Sequence, residues 1–123
     1  MNHTDEDALC PLFHHAVELI GRRWTGAILR VLLDGQERFN EVAAAVPGLT
    51  DRMLSERLKE LEAEGIVTRT VIPETPVRVE YHLTEKGQAL GCVLDSIVTW
   101  AHTWLDEPEQ LTSLPRGKVR SPA

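Results

Sequence analysis

The first third of the chain places apolar residues with a period near 3.6, the spacing of an amphipathic helix. Residues 11–21, PLFHHAVELIG, and residues 23–34 each carry one apolar face. Pro11 suits the first turn of a helix. Gly21 and Gly35 suit helix ends, because glycine readily adopts the left-handed backbone that ends many helices. The pattern therefore predicts two consecutive helices.

A short third helix is predicted next, over residues 40–46. Asn40 is a favourable N-cap residue, and the run after it is largely apolar. Pro47 and Gly48 would then end the helix. Because a further helix begins within a few residues, this segment predicts a helix-turn-helix.

The helix that follows, over residues 51–64, has two faces of different chemistry. Thr50 is a suitable N-cap for it, and Gly65 is a suitable residue to follow its end. One narrow arc of the helix carries Leu54, Leu58 and Leu61. The far side carries Arg52, Ser55, Glu56 and Lys59. Leucines packed on the preceding helices would leave the far side facing outward, where a DNA major groove could receive it.

After Gly65 the apolar period changes to about 2, which is typical of strands. Residues 66–72 and 77–83 are rich in β-branched residues, and the PETP sequence between them indicates a turn. Thr84 then caps a last helix that is predicted to run to about Asp106. The predicted fold class is mainly α with a small β-hairpin wing, a winged helix-turn-helix.

The composition fits one small domain of 123 residues, 42% of them hydrophobic. We expect a flexible acidic N-terminus over residues 1–9, a winged domain over residues 10–106 and a flexible tail over residues 107–123. There is no run of about 18 apolar residues, and the polar start does not resemble a signal peptide. Two cysteines do not make a disulfide scaffold, so a reducing compartment, the cytoplasm, is expected.

The formal net charge of −6 bears on possible partners, because an acidic chain repels nucleic acid overall. The acidity is uneven, however. Residues 1–20 hold four acidic and no basic side chains, whereas residues 21–100 hold ten basic and twelve acidic ones. A basic face is therefore compatible with the central region. No phosphate loop, nucleophile elbow or spaced pair of catalytic carboxylates is present, so the sequence predicts no enzyme.

Several motifs in order resemble the HxlR-type regulators, relatives of the MarR group. They are Cys10-Pro11 in CPLFHH, GRRW ending at Trp24, RFNE beginning at Arg38, the recognition segment PGLTDRMLSERLKELEAEGIVTR and the wing segment PETPVRVEYHLTEKG. The match covers about residues 10–105. The resemblance implies a homodimeric, cytoplasmic, DNA-binding transcriptional regulator. Glu56 and Arg57 stand where uncharged amides are common in that family, so no operator preference carries over.

The candidate DNA contacts lie on the helix-turn-helix and the wing, and we expect a palindrome-like double-stranded operator. The alternative for the helix face is an ordinary solvated surface. Glu56 would either read cytosine or pair with Arg52 or Lys59, and pairing is favoured. The predicted contacts are Arg38, Asn40, Thr50, Arg52, Ser55, Lys59, Arg69 and Arg78.

Cys10 has two interpretations, a small packed residue and a redox-sensing thiol. It precedes Pro11 and so lies beside a helix N-terminus. Several members of the family that the chain resembles sense electrophiles or oxidants through a cysteine at this place. Cys92 is expected to be structural, although it could act as a resolving thiol. His3, His14 and His15 lie near Cys10, but without a second ligand cluster they predict no metal site.

The first and last helices have wider apolar faces than a small winged core can cover, which predicts a homodimer. The expected interface residues are Leu12, Phe13, Leu90, Leu94, Ile97, Ala101 and Trp104. A small-molecule or electrophile effector is compatible with this plan, as is a constitutive regulator. The remaining alternative is a winged protein–protein adaptor that binds no DNA.

Overall fold

Residues 10–106 are described in the computed structural model, and they form six helices and one β-hairpin. The predicted N-terminal segment 1–9, with His3, and the predicted tail 107–123 lie outside the described residues. None of the described helices is long and apolar enough to cross a membrane. In chain order the elements are α1 Pro11–Gly21, α2 Thr25–Leu33, α3 Phe39–Ala45, α4 Asp51–Ala63, β1 Val67–Ile72, β2 Arg78–Leu83, α5 Glu85–Gln88 and α6 Leu90–Trp104.

The order of elements confirms the predicted winged helix-turn-helix. α3 and α4, with the turn between them, form the helix-turn-helix, and β1 and β2 form the wing. The core takes apolar side chains from α2, α3, α4, the start of β1 and α6, because each presents one apolar face inward. The buried core residues are Ile28, Leu29, Leu32, Val42, Val46, Leu49, Leu54, Leu58, Leu61, Ile66, Val67, Tyr81 and Leu94.

Two threonines cap helices as predicted. Thr50 caps α4, which leads into the wing, and Thr84 caps α5, which follows the wing. The Thr50 hydroxyl accepts a hydrogen bond from the Met53 N–H at 3.1 Å at the start of α4. The Thr84 hydroxyl accepts one from the Gly87 N–H at 3.1 Å and donates to the Gly65 carbonyl at 2.6 Å. Gly65 follows α4 with a φ of +78°, the left-handed conformation predicted there.

The prediction that Asn40 caps α3 is wrong. Arg38 is the N-cap, and Asn40 is the second residue of the helix. Arg38 forms an antiparallel bridge with Glu80 of the wing, which holds its backbone extended. Its N–H donates to the Glu41 carboxylate at 3.3 Å, so a side chain of the first turn satisfies the backbone N–H of the N-cap residue.

The last helix is not continuous as predicted, because it is interrupted at Ala89 between α5 and α6. Within α5, Gly87 packs against the residues that enter β1. A Cβ atom at Gly87 would lie 2.3 Å from the Ile66 carbonyl oxygen. The first turn is thus fixed by a close backbone contact, whereas α6 is set by packing of Leu94 in the core.

The wing is a two-stranded antiparallel sheet whose register pairs Val67 with Leu83 and Ile72 with Arg78. It is tied to the helices at its base, where the Tyr81 N–H donates to the Glu37 carbonyl at 2.8 Å. Together with the bridge between Arg38 and Glu80, this contact fixes the wing relative to the start of α3.

Candidate nucleic-acid interface

α4 has the two faces that the sequence predicts. Leu54, Leu58 and Leu61 are at most 1% exposed, whereas the Arg52 side chain is 87% exposed. The Arg52 Nε lies 3.4 Å from a Glu56 carboxylate oxygen, which is the pairing expected for Glu56. Lys59 is exposed and Ser55 is partly exposed beside them. The outer face of α4 therefore offers cationic and hydroxyl groups on a buried apolar support.

Arg57, which with Glu56 departs from the uncharged amides common in the family, differs from Glu56 in its surroundings, because its side chain is only 10% exposed. It points toward the corner between α1 and α2, where its Nε donates to the Arg23 carbonyl at 2.9 Å. Its place on the helical wheel, on the side of Leu54 and Leu61 rather than of Arg52, could have revealed this.

The other predicted contacts on the helix-turn-helix lie at its two helix starts. Arg38, Asn40 and Thr50 are all exposed. Backbone N–H groups at helix starts and a nearby guanidinium suit phosphate oxygens. These three residues lie at the starts of the two helices of the motif, and all of them precede the outer face of α4 in the chain.

The two wing arginines differ in their surroundings. Arg69 is exposed on β1. Arg78 is held between two carboxylates, with Nη1 3.3 Å from Glu74 Oε1. Its Nε lies 2.9 Å from Glu80 Oε2, a charge contact without hydrogen-bond geometry. A phosphate contact by Arg78 would have to displace these partners, so Arg69 is the more available cation.

One group of three side chains within residues 10–106 has metal-ligand chemistry. Glu37, Glu80 and His82 place one ligand atom each within 4.8 Å of the others. The two imidazole nitrogens of His82 already face carboxylates, Nδ1 at 3.2 Å from Glu37 and Nε2 at 3.0 Å from Glu80. These polar contacts explain why the three side chains lie together, because they link the wing to the loop before α3. Cys10 and His14 belong to no such group in this part of the chain.

Cys10 is the N-cap of α1, as its position before Pro11 suggested. Its Sγ accepts a hydrogen bond from the Phe13 N–H at 3.3 Å, and the residue is partly exposed. Cys92 is exposed on α6, with its Sγ 3.6 Å from the Ala89 carbonyl. Both cysteines are free thiols. Because the Cys10 thiol caps α1, a group added to its sulfur would alter the start of that helix.

The family model for the HxlR-like helix-turn-helix matches residues 19–109, which include the helix-turn-helix, the wing and α6. The chain belongs to the HxlR family. It is therefore a transcriptional regulator of this type and not an enzyme.

Relatives and solved structures extend this assignment over most of the chain. The HTH-type transcriptional regulator YvaP of Bacillus subtilis is 53% identical over 102 residues, covering 83% of this chain and 94% of YvaP. YodB of the same organism is 50% identical over 95 residues, covering 77% of this chain and 85% of YodB. The structure of reduced YodB superposes with a TM-score of 0.72 over 82% of this chain and 99% of that chain, at 46% identity.

The redox regulator HypR is a further structural neighbour. Its oxidised form superposes with a TM-score of 0.71 at 39% identity, covering 80% of this chain and all of that chain. YodB structures have also been solved in quinone-bound and diamide-treated forms.

The HxlR-family chain leaves an apolar surface uncovered along α1 and α6. α1 has no buried residue at all, and Leu12 and Phe13 are 81% and 54% exposed. On α6, Ile97 is 51% and Trp104 is 71% exposed. Val17, Val93, Trp100 and Leu105 are exposed on the same two helices or directly after α6.

Three predicted interface residues of α6 do not belong fully to this exposed surface. Leu94 is 5% exposed and packs in the core of the same chain, and Leu90 packs against that core. Ala101 is partly exposed. On the helical wheel all five predicted residues of α6 share one apolar arc, with Leu94 at one edge and Trp104 at the other. The core of the same chain covers the Leu94 edge and leaves the Trp104 edge exposed.

A groove of about 760 Å³ separates α1 from the C-terminal half of α4. Two polar contacts lie along it: a hydrogen bond between His15 Nε2 and Glu64 Oε2 at 2.6 Å, and an ion pair between Arg22 Nη2 and Glu60 Oε2 at 3.2 Å. The groove thus lies between the helix that Cys10 caps and the helix that carries the outward-facing cations.

Proposed function

We propose that this HxlR-family regulator is a homodimeric, sequence-specific DNA-binding repressor that acts in the cytoplasm. α4 would enter the major groove of a palindrome-like operator. The observation that carries this proposal is the division of α4, whose leucines are buried while Arg52 and Lys59 face outward. A recognition helix needs this arrangement, because side chains must reach base edges from a rigid support.

The individual contacts are assigned by their position and exposure. Arg52, in the first turn of α4, is suited to read a base, since recognition helices contact bases with their N-terminal residues. Lys59 and Arg69 are suited to phosphates. The backbone at the starts of α3 and α4, with Arg38, supports phosphate positioning. Asn40, Thr50, Ser55 and Arg78 complete the proposed contact set.

The homodimer is supported by the uncovered apolar surface on α1 and α6. Leu12, Phe13, Ile97, Trp100 and Trp104 are each more than half exposed in the single chain. Large exposed apolar side chains grouped on two helices indicate an interaction site, and twofold self-association is its commonest solution. A dimer would also present two copies of α4 to the two halves of a palindrome-like site.

A thiol response through Cys10 is supported by three observations. Cys10 caps α1 with its sulfur, it is partly exposed, and α1 carries half of the proposed dimer surface. Among relatives, YodB has quinone-bound and diamide-treated structures, and HypR is a redox regulator with reduced and oxidised structures. Quinones and oxidants are accordingly the effector class that we propose.

The experiment that tests DNA binding is a mobility-shift titration of the DNA upstream of the protein's own operon. The proposal expects a discrete complex with that fragment and at least about 1,000-fold weaker binding to a shuffled fragment of equal length. Binding to neither fragment would favour the winged protein–protein adaptor instead, and equal binding to both would contradict sequence-specific recognition.

A further inference from the structure

The contact between α4 and the corner that joins α1 to α2 is built on a buried guanidinium. Arg57 and Thr25 are the two buried polar residues within residues 10–106. The Arg57 Nε donates to the Arg23 carbonyl at 2.9 Å, and its Nη1 lies 3.3 Å from Glu60 Oε2. Burying an arginine without such partners would be strongly unfavourable, so these contacts determine the position of the Arg57 side chain.

Glu60 extends this contact to the last turn of α1. Its Oε2 atom accepts from Arg57 Nη1 at 3.3 Å and lies 3.2 Å from Arg22 Nη2. One carboxylate oxygen is therefore shared by a guanidinium from α4 and a guanidinium from the C-cap of α1. The pair of arginines is held together by that oxygen, because the two cations would otherwise repel each other.

The corner itself has a defined conformation. Trp24 has a φ of +77°, in the left-handed region that non-glycine residues seldom adopt, and it packs against the core. The Arg23 guanidinium lies over the Trp24 ring at 5.1 Å from its centre. Two contacts therefore fix the backbone of this corner. The Trp24 ring packs against the core, and the Arg57 guanidinium donates to the Arg23 carbonyl.

We propose that Arg57 is a positioning residue that, through Glu60 and Arg22, fixes the recognition helix relative to α1. This inference rests on the proposed function, in which α1 belongs to the dimer interface and α4 binds DNA. In such a dimer the orientation of α4 relative to α1 sets the separation of the two recognition helices. Arg57 would thus set which half-site spacing the protein accepts, without touching DNA.

Arginine is required at this position because two partners are contacted in different directions. The planar guanidinium reaches the Arg23 carbonyl with Nε and the Glu60 carboxylate with Nη1 at the same time. A lysine ends in a single nitrogen, which cannot occupy the positions of Nε and Nη1 at the same time. Arg57→Lys therefore keeps the charge while removing the arrangement in which two separate nitrogens contact two partners.

The test measures affinity for a set of operators whose half-sites are moved apart or together by one or two base pairs. The wild type should prefer one spacing. Arg57→Lys should bind that operator roughly tenfold more weakly and should discriminate less among the spacings. Glu60→Gln, a milder change at a partly exposed site, should lower the preference in the same direction.

A purely structural role for Arg57 gives a different result. Loss of folded protein would reduce affinity for every spacing by the same factor and leave the preference intact. An unchanged preference in both Arg57→Lys and Glu60→Gln would overturn the proposal. Arg30→Lys is the matched control, because Arg30 makes only a 4.0 Å ion pair with Asp95 on the side facing α6.

A measurement without DNA separates this proposal from the proposed function. With 5-fluorotryptophan incorporated, the full-length wild type should give one sharp fluorine resonance for Trp24, assigned with Trp24→Phe. Arg57→Lys should broaden or double that resonance and leave those of Trp100 and Trp104 unchanged. If the wild type binds no operator but the Trp24 resonance responds, the DNA-binding proposal fails and the role of the Arg57 contact stands. If the wild type binds its operator without any spacing preference, DNA binding stands and the proposed effect of Arg57 on spacing fails. A single sharp Trp24 resonance in Arg57→Lys would refute the contact's role.

Discussion

Arg52, Glu56 and Arg57 lie within one and a half turns of α4 but have three different environments. Arg52 is exposed, Glu56 pairs with it at 3.4 Å, and Arg57 is buried against the α1–α2 corner. The Arg52–Glu56 pair follows from helical spacing alone, so the sequence predicts it. The partner of Arg57 is the backbone carbonyl of Arg23, 34 positions earlier in the chain, and no local sequence pattern predicts such a contact.

For Cys10, the sequence predicts the position of the residue but not the reactivity of its thiol. The sequence predicts that the residue lies at the start of α1, because Pro11 favours the first helical turn. The contact of its sulfur with the Phe13 N–H confirms the position. The proposed reactivity depends on what surrounds the thiol in the dimer, which a single chain does not contain.

The first prediction is that Cys10→Ser resists thiol reagents while it folds and binds DNA normally. Serine is a favoured N-cap, so the hydrogen bond to Phe13 is kept and α1 retains its start. Diamide or a benzoquinone should lower the operator affinity of the wild type roughly 5- to 150-fold. Cys10→Ser should lose little.

Cys92→Ser is the control for this measurement, since it removes the other thiol from exposed α6. If only Cys92→Ser is protected, the sensing thiol lies on α6. If wild type and both variants respond alike, the response does not pass through a cysteine. A non-reducing gel distinguishes a covalent dimer from a simple adduct.

Helix boundaries that depend on neighbouring residues were predicted correctly. Boundaries that depend on contacts between distant parts of the chain were not. Thr50 and Thr84 cap their helices as expected, because an N-cap needs only its own first turn. α3 begins at Phe39 rather than at Asn40, because pairing with Glu80 holds Arg38 extended. The interruption at Ala89 likewise involves the close approach of α5 to the strand entry, a tertiary contact.

The second prediction concerns that approach. Gly87→Ala places a Cβ atom 2.3 Å from the Ile66 carbonyl, a clash with backbone that no side-chain rotation relieves. It should lower the free energy of unfolding by about 1–3 kcal/mol. Gly26→Ala, in α2 with no neighbouring atom within 4 Å of the added Cβ, should instead raise it by about 0.5–1 kcal/mol. Urea unfolding followed by circular dichroism measures both. Equal stabilities of the two variants would contradict this account of α5.

At the scale of the whole molecule, the charge and the apolar surface support the same account. The formal charge of −6 weakens nonspecific attraction to DNA, so the proposed binding would have to come from the local cations on α4 and the wing. In the proposed dimer, the apolar surface of α1 and α6 would pair two chains and so provide a second copy of those cations. The sequence predicted both helices as interface elements, but it could not tell which edge of the apolar face of α6 turns inward to bury Leu94.

The third prediction is that the double variant Ile97→Glu with Trp104→Glu is monomeric. Both residues lie at the exposed edge of the apolar face of α6 and are more than half exposed, so the fold of the single chain should survive. Two carboxylates on each side of a twofold interface would be desolvated and would repel each other. Sedimentation velocity should show a monomer, and operator affinity should fall roughly 100-fold or more as the two half-sites become independent.

The control for the dimer prediction is His102→Glu, which adds a negative charge on the opposite side of α6 and should stay dimeric. A double variant that sediments as a dimer would place the interface elsewhere.

The most direct test of the central claim, that the outer face of α4 reads DNA, is an anisotropy titration of a labelled operator with Arg52→Ala. If Arg52 contacts a base, its loss should cost about 1–3 kcal/mol in binding and relax the preference at one base pair of each half-site. Arg30→Ala makes the same substitution on α2, beside Asp95 of α6, and should bind as the wild type does. If Arg52→Ala leaves both affinity and sequence preference unchanged, the outer face of α4 does not read DNA and the account is contradicted.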